Sequence, residues 1–256
     1  MIRIAFFDID GTLYEMGHPY MSQSTLYALT QLKKKGIKII IATGRSPLRM
    51  PHLPIKFDGY IHFNGQFCLI DNKIIYECCL QKNEVKTIIE NASNMDKAVG
   101  LAGLQFFGCN FYDERLAGYL KNTRPDYPLL EDFKDYAAKE IFQMVIPISK
   151  EEEKTLFKGT QNCKAVRWSS MAADIIPKQG GKHIGIQKVL DYYHISDEEA
   201  IAFGDGENDI PMLKMVGCGV AMGNASSLVK EAADYCTDKV QEDGILKALQ
   251  HLKIIE

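Results

Sequence analysis

The chain has no apolar run approaching the roughly 18 to 20 residues that a membrane-crossing helix needs, which excludes a helical span. It has no basic excess either: 30 Lys and Arg stand against 33 Asp and Glu, a formal net charge of -3. Without a positive field, neither nucleic acid nor an anionic membrane is expected as its partner. No C-x-x-C pair occurs among the seven cysteines, and an odd number does not make a disulfide framework. They read as reduced, half-buried small hydrophobes, with a reducing cytoplasm as the expected setting. Internal repeats, low-complexity linkers and histidines at metal-ligand spacing are missing as well. So are nucleotide loops. GCGVAMGN, at 217–224, fails G-x-G-x-x-G at Met222, and KQGGKH has Ile176 where a Walker loop needs glycine.

What is present is a globular composition, 46% hydrophobic and 25% charged, in 256 residues. That length allows one large or two smaller domains. The opening MIRIAFF reads as a buried strand rather than a signal peptide, because its apolar run is short and ends in acids. Ser22 or Ser24 caps a helix through TLYALTQLKKK that stops at Gly36. IKIIIA, at 37–42, has the unbroken apolar character of a parallel strand covered on both faces. GYIHF, QFCLI and KIIYE follow as short strands, with Asn64-Gly65 and Asp71-Asn72 as hairpin turns.

From about Gln81 the rhythm changes. Helical stretches at 84–97, 114–122 and 155–158 mix with extended QFFGCNFYD, IFQMVIPI, AVRWSS and AADII, and Ser149 with Glu152 forms a capping box. Alternation resumes after Gly181, with helices at 182–193, 210–215, 226–233 and 244–252 around strands AIAFG and CGVAM. The expectation is an α/β domain of residues 1–80 and 181–256, interrupted by an α+β insertion at 81–180.

Polar residues recur where apolar strands end. Asp8 and Asp10 follow the first strand, Thr43, Gly44 and Arg45 the second, and Asp205, Glu207, Asn208 and Asp209 follow AIAFG. A lone Asp in such a place is more often a helix cap. Three such tails point to a site, because ligands bind beyond the carboxyl ends of strands in an open parallel sheet. Brought together, Asp8, Asp10, Asp205 and Asp209 would repel by roughly 4 kcal/mol per pair at about 4 Å and an effective dielectric of about 20. They must then take up protons or hold a cation. Carboxylates without a Cys or His cluster favour Mg2+, which shares its shell with phosphate oxygens. A cation beside a hydroxyl and helix N-termini makes a dianion receptor, and Lys182 would add a further positive charge.

Together these residues carry a resemblance. D-I-D-G-T at 8–12, T-G-R at 43–45, Lys182 and G-D-G-E-N-D at 204–209 resemble the four motifs of the haloacid dehalogenase superfamily. Their order, and the insertion between the second and third, is similar to its Cof-like branch with a type C2B cap. The resemblance implies an α/β fold: a Rossmann-like parallel-sheet core with an inserted α+β cap domain. It implies that Asp8 attacks phosphorus to form an aspartyl-phosphate, while Asp10 protonates the leaving group and then activates water. By the strand period of two, Asp10 falls on the same side as Asp8. Mg2+ would bind the Asp8 carboxylate, the Asp10 backbone carbonyl and Asp205. Thr43, Gly44, Lys182 and Asn208 would grip the phosphoryl oxygens. Asp209 would hold Lys182 or a metal-bound water, and Thr12 would shape the turn. Arg45 and Glu207 receive no role.

The expected activity is therefore Mg2+-dependent hydrolysis of a small phosphorylated metabolite, a sugar phosphate or phosphorylated cofactor, with no obligate protein partner. The alternatives are a phosphomutase of the same superfamily and a weakly catalytic phosphometabolite-binding regulator. A pure binder has no need of an acid, so the presence of both Asp8 and Asp10 weighs against the regulator. Arg115, Arg124, Gln143 and Trp168 are candidates for reading the substrate, and His18 for the edge of the pocket.

Overall fold

A strand that is apolar on both faces needs cover above and below it, and MIRIAFF finds that cover in the middle of a sheet. The structure is a computed structural model and describes residues 1–18, 20–121, 127–167, 170 and 172–256. The chain runs β1 (Ile4–Phe7), α1 (Gln23–Lys34), β2 (Lys38–Ala42), β3 (Gly59–His62), β4 (Phe67–Ile70) and β5 (Lys73–Glu77). Then come α2 (Lys82–Asn94), β6 (Gly100–Ala102), β7 (Phe107–Cys109), α3 (Glu114–Leu120) and α4 (Phe133–Ala137). These are followed by β8 (Gln143–Ile146), α5 (Glu153–Leu156), β9 (Cys163–Val166) and β10 (Ala173–Pro177). The last third is α6 (Lys182–Tyr193), β11 (Ala200–Gly204), α7 (Ile210–Met215), β12 (Cys218–Ala221), α8 (Ser227–Ala232), β13 (Tyr235–Cys236) and α9 (Gly244–His251).

Two units result. Met1–Gly44, Pro51–Glu77 and Gly181–Glu256 form the first, and Arg45–Met50 with Cys78–Gly180 the second. The first unit carries a sheet in the order β13-β12-β11-β1-β2-β3-β4-β5. Strands β13 through β3 are mutually parallel, β4 pairs antiparallel with β3, and β5 pairs antiparallel with β4. Ile4, Phe6, Ile40 and Ala202 pack with Ile186, Val189 and Leu190 of α6 and with Met212 and Leu213 of α7. The alternate residues, Ala5, Phe7, Ile39 and Ile41, are equally buried, and α1 packs on β2 and α9. Ser22 caps α1 by accepting the Thr25 N–H at 3.1 Å. Asp71 and Asn72, both at positive φ, make the two-residue turn between β4 and β5.

Register decides where the strands deliver their tails. Phe7 lies opposite Phe203 on β11 and Ile41 on β2, and Ala42 lies opposite Ile61 on β3. The neighbouring strands β11, β1, β2 and β3 therefore end at one edge of the sheet, and the residues after them emerge side by side. The stacked rings of Phe7 and Phe203, with centroids 5.0 Å apart, floor that edge.

In the second unit the sheet is antiparallel, in the order β7-β6-β8-β10-β9. Val85, Ile88 and Ala92 of α2 and Leu156 of α5 bury against Leu101, Met144, Ile146 and Ile175. Several expectations shrink here. QFFGCNFYD is a strand only over Phe107–Cys109, and AVRWSS yields only the end of β9, with Trp168 and Ser169 outside the described residues. The Ser149 N–H does donate to the Glu152 carboxylate at 2.8 Å, but the helix it introduces is a single turn.

Candidate active site

Asp8 is the first residue beyond β1, and its N–H still donates to the Phe203 carbonyl at 3.0 Å. The carboxylate therefore projects from the middle of the row of strand tips. Its Oδ1 accepts from Lys182 Nζ at 2.6 Å, and the same ammonium donates to Asp209 Oδ1 at 2.5 Å. The side chains of Lys182 and Asp209 are wholly buried. Lys182 opens α6, and a close backbone approach seats that helix start: a Cβ on Gly65 would stand 2.1 Å from the Gly181 carbonyl oxygen. Only glycine fits there, doubly so because Gly65 has a φ of 101°.

Asp205 lies beyond β11. Its Oδ1 accepts from Thr12 Oγ1 at 2.9 Å and its Oδ2 from Asn224 Nδ2 at 3.2 Å. Asn224 Nδ2 also reaches the Gly11 carbonyl at 2.9 Å, tying the first motif to the β11 tail. Gly11 has a φ of 84°, and a Cβ there would lie 2.2 Å from Asp205 Oδ2. The glycine behind the two acids thus gives room for the third. Asp209 Oδ2 accepts the N–H groups of Asp205 and Gly206, both at 3.0 Å, so both of its oxygens are engaged in holding neighbours.

One oxygen from each of Asp8, Asp205 and Asp209 falls within 4.8 Å of the others, a grouping able to hold a metal ion. Burial first, and the neighbouring acids Asp209 and Asp10 after it, push Asp8 up to about 7 in spite of Lys182. Burial, then Asp8 and Asp209, push Asp205 up to about 8. Burial alone would lower Lys182, but Asp209 and Asp8 outweigh it and hold the ammonium above its ordinary range. One cation thus faces three carboxylates, and the donor set suits a hard divalent ion.

Thr43 and Gly44 follow β2. Thr43 is buried, its N–H donates to the Ile61 carbonyl at 2.8 Å, and its carbonyl accepts the Asn64 N–H at 3.0 Å. Asn208 Nδ2 donates to Asn64 Oδ1 at 3.0 Å. The structure therefore brings Asp8, Thr12, Thr43, Gly44, Lys182, Asp205, Asn208 and Asp209 onto one edge of one sheet. Asp10 sits in the turn after β1, bridged to Tyr14, and its charge is felt by Asp8. Arg45 belongs to the second unit, where its guanidinium donates to the Arg49 carbonyl at 2.7 Å. Glu207 and Arg115 are exposed, and Gln143 is buried on β8. Arg124 and Trp168 lie outside the described residues. His18 is exposed, 3.5 Å from Glu15. Asn64 and Asn224 also stand at this edge, and sequence reasoning did not assign them to it.

The chain matches the haloacid dehalogenase-like hydrolase family over residues 5–249. It belongs to that family. It is 33% identical to the putative phosphatase YkrA of Bacillus subtilis, over 99% of each chain. It is 28% identical to the 5-amino-6-(5-phospho-D-ribitylamino)uracil phosphatase YitU of the same organism, over 95% of this chain and 94% of that one. Among solved structures it resembles a subclass IIB sugar phosphatase of the superfamily with a TM-score of 0.90 and 34% identity, over 99% of this chain and 100% of that chain. The fold is thus the family's parallel-sheet core with an inserted cap domain, and the protein is a phosphatase of this family. None of the described helices is long and apolar enough to cross a membrane.

Proposed function

We propose that the protein is a Mg2+-dependent phosphomonoesterase that hydrolyses a small phosphorylated metabolite through an aspartyl-phosphate on Asp8. The observation that carries this is the Asp8 carboxylate at the tip of the central strand, hydrogen-bonded to Lys182 and grouped with Asp205 and Asp209. The cation would be held by Asp8, Asp205 and the Asp10 backbone carbonyl, with Asp209 kept to its hydrogen bonds. Bound there, it supplies charge that offsets the carboxylates and the incoming phosphoryl oxygens.

Asp8 attacks phosphorus in line with the ester oxygen, the P–O bond to the leaving group breaks, and Asp10 gives that oxygen a proton. Asp10, now a carboxylate, takes a proton from water as the water attacks the aspartyl-phosphate. The bond from Asp8 to phosphorus breaks and inorganic phosphate leaves. Lys182, Asn208 and the Thr43–Gly44 segment hold the phosphoryl oxygens, and Thr12 and Asn224 hold Asp205. The inserted unit is the cap that distinguishes substrates, and sugar phosphates or phosphorylated cofactors are the class to test first, beginning with sugar phosphates and 5-amino-6-(5-phospho-D-ribitylamino)uracil, which the names of its relatives carry. Buried Cys68 and Cys163, whose thiols burial pushes up to about 12, are inert and in keeping with a reducing cytoplasm.

The test is release of inorganic phosphate from a panel of such esters, with Mg2+ and with chelator. Release that needs the metal and disappears in Asp8→Asn is expected. Release indifferent to chelator, or isomerised product without net phosphate, would overturn the reading in favour of other chemistry or a mutase.

A further inference from the structure

The tail of β3 enters this edge although its sequence, Asn64-Gly65, marks only a turn. Asn64 is fully buried and stands in the left-handed region, φ 55° and ψ 37°, which asparagine tolerates better than most side chains. Its N–H is held by the Thr43 carbonyl, and its Oδ1 accepts from Asn208 Nδ2, both at 3.0 Å. Its carboxamide also fills the space beside Gly44, where a Cβ would stand 3.1 to 3.4 Å from it. Gln66 Nε2 donates to the Asn64 carbonyl at 3.3 Å and steadies the turn. The next residue, Gly65, abuts Gly181 at the start of α6. One short turn thus touches the β2 tail, the β11 tail and the segment that carries Lys182.

We propose that Asn64 is a positioning residue for phosphoryl binding. This rests on the reading of Thr43, Gly44, Lys182 and Asn208 as the phosphoryl grip. A carboxamide has two N–H donors in one plane, so fixing one of them fixes the direction of the other. By accepting one Asn208 donor, Asn64 orients the other, and by packing beside Gly44 it sets the β2 tail at the same time. The two segments then present their donors to one anion already organised, with no ordering left for the moment of binding.

Asn64→Gly keeps the left-handed backbone available and deletes the side chain, carboxamide included, and Asn64→Ser shortens the side chain beyond reach of Asn208. Each is compared with Asn208→Ala and with the double variants, using Mg2+-loaded protein, inorganic phosphate as inhibitor and an aryl phosphate as substrate. Expected for Asn64→Gly and Asn64→Ser is a roughly tenfold rise in the phosphate inhibition constant and in KM, with a smaller change in kcat. The double variants should be little worse than Asn208→Ala alone, because the two side chains act as one unit. A wild-type inhibition constant in both Asn64 variants, or effects that simply add to those of Asn208→Ala, overturns the proposal while leaving the phosphatase reading intact. A wild-type protein that neither releases nor binds phosphate overturns both. Should Asn64→Gly fail to fold, Asn64→Ser carries the same comparison.

Discussion

Replacing Lys182 with Met tests the charge balance most directly. The ammonium sits 2.6 Å from Asp8 Oδ1 and 2.5 Å from Asp209 Oδ1, and its side chain is fully buried. Met nearly matches the volume but leaves two carboxylates facing each other without their shared cation. Removing one partner of a buried ion pair costs about 3–5 kcal/mol. At about 2–4 °C per kcal/mol for a chain of this size, the unfolding temperature should drop by roughly 6–20 °C. Lys182 has a folded pKa above its ordinary 10.5, so its own contribution is fully present below that value and constant between pH 5 and 8. Any pH dependence of the gap between wild type and variant must therefore come from the acids around the lysine, Asp8 above all. Burial already raises its carboxyl, which loses the lowering influence of Lys182 in the variant and is neutralised as the pH falls. Thermal melts followed by circular dichroism, with chelator present, should show a large gap at pH 8 that shrinks at pH 5. Activity should be lost at both, since a proton on a carboxylate does not replace a donor to phosphoryl oxygen, worth about 100- to 1,000-fold. An equal gap at the two pH values, or no loss at pH 8, would refute the reasoning.

Two further substitutions probe the same edge. Asp8 is raised from 3.8 to about 7, so between those values the folded protein keeps a proton that the unfolded chain has released, and stability falls as pH rises through that window. Asp8→Asn should therefore abolish phosphate release yet melt above the wild type in chelator at pH 8, with the difference closing towards pH 5; added Mg2+ should stabilise the wild type most at pH 8. Gly11→Ala places a Cβ 2.2 Å from Asp205 Oδ2 at a φ of 84°, so it should cost about 1–2 kcal/mol in backbone strain alone. It should also weaken Mg2+ binding, read by calorimetry, through displacement of Asp205; unaltered binding would mean that Asp205 takes no part.

Much of the fold is written in local chemistry. Ser22, Gly36 and the period of TLYALTQLKKK delimit α1, and Asp71-Asn72 supplies the positive φ values that a two-residue hairpin needs. Runs apolar on both faces, such as IKIIIA, announced covered parallel strands. What escaped were elements too short or too irregular to show a period. β13 is two residues long and is fixed by pairing with β12, while α4 is a five-residue helix whose Phe133, Tyr136 and Ala137 pack on the second unit's core. Neither owes its existence to the residues inside it alone.

The site divides along a different line. Asp8, Thr43 and Asp205 were legible because each follows an apolar strand and breaks its pattern at once, and Lys182 because the α/β rhythm restarts there. Asn64 obeys the same rule, following β3 at the same edge, yet Asn-Gly is also the strongest short hairpin signal, and β3 does turn there into antiparallel β4. A dipeptide that satisfies one requirement fully gives no hint of a second. Asn224 hides in another way: GCGVAMGN invites comparison with a nucleotide loop and fails it, which draws attention from the fact that it too follows a parallel strand, β12. In both cases the missing information is strand order. Once β12, β11, β1, β2 and β3 are known to be neighbours, every polar residue just beyond their carboxyl ends becomes a candidate for one pocket, and the two asparagines stand there as links between tails, Asn64 to Asn208 and Asn224 to Asp205 and Gly11.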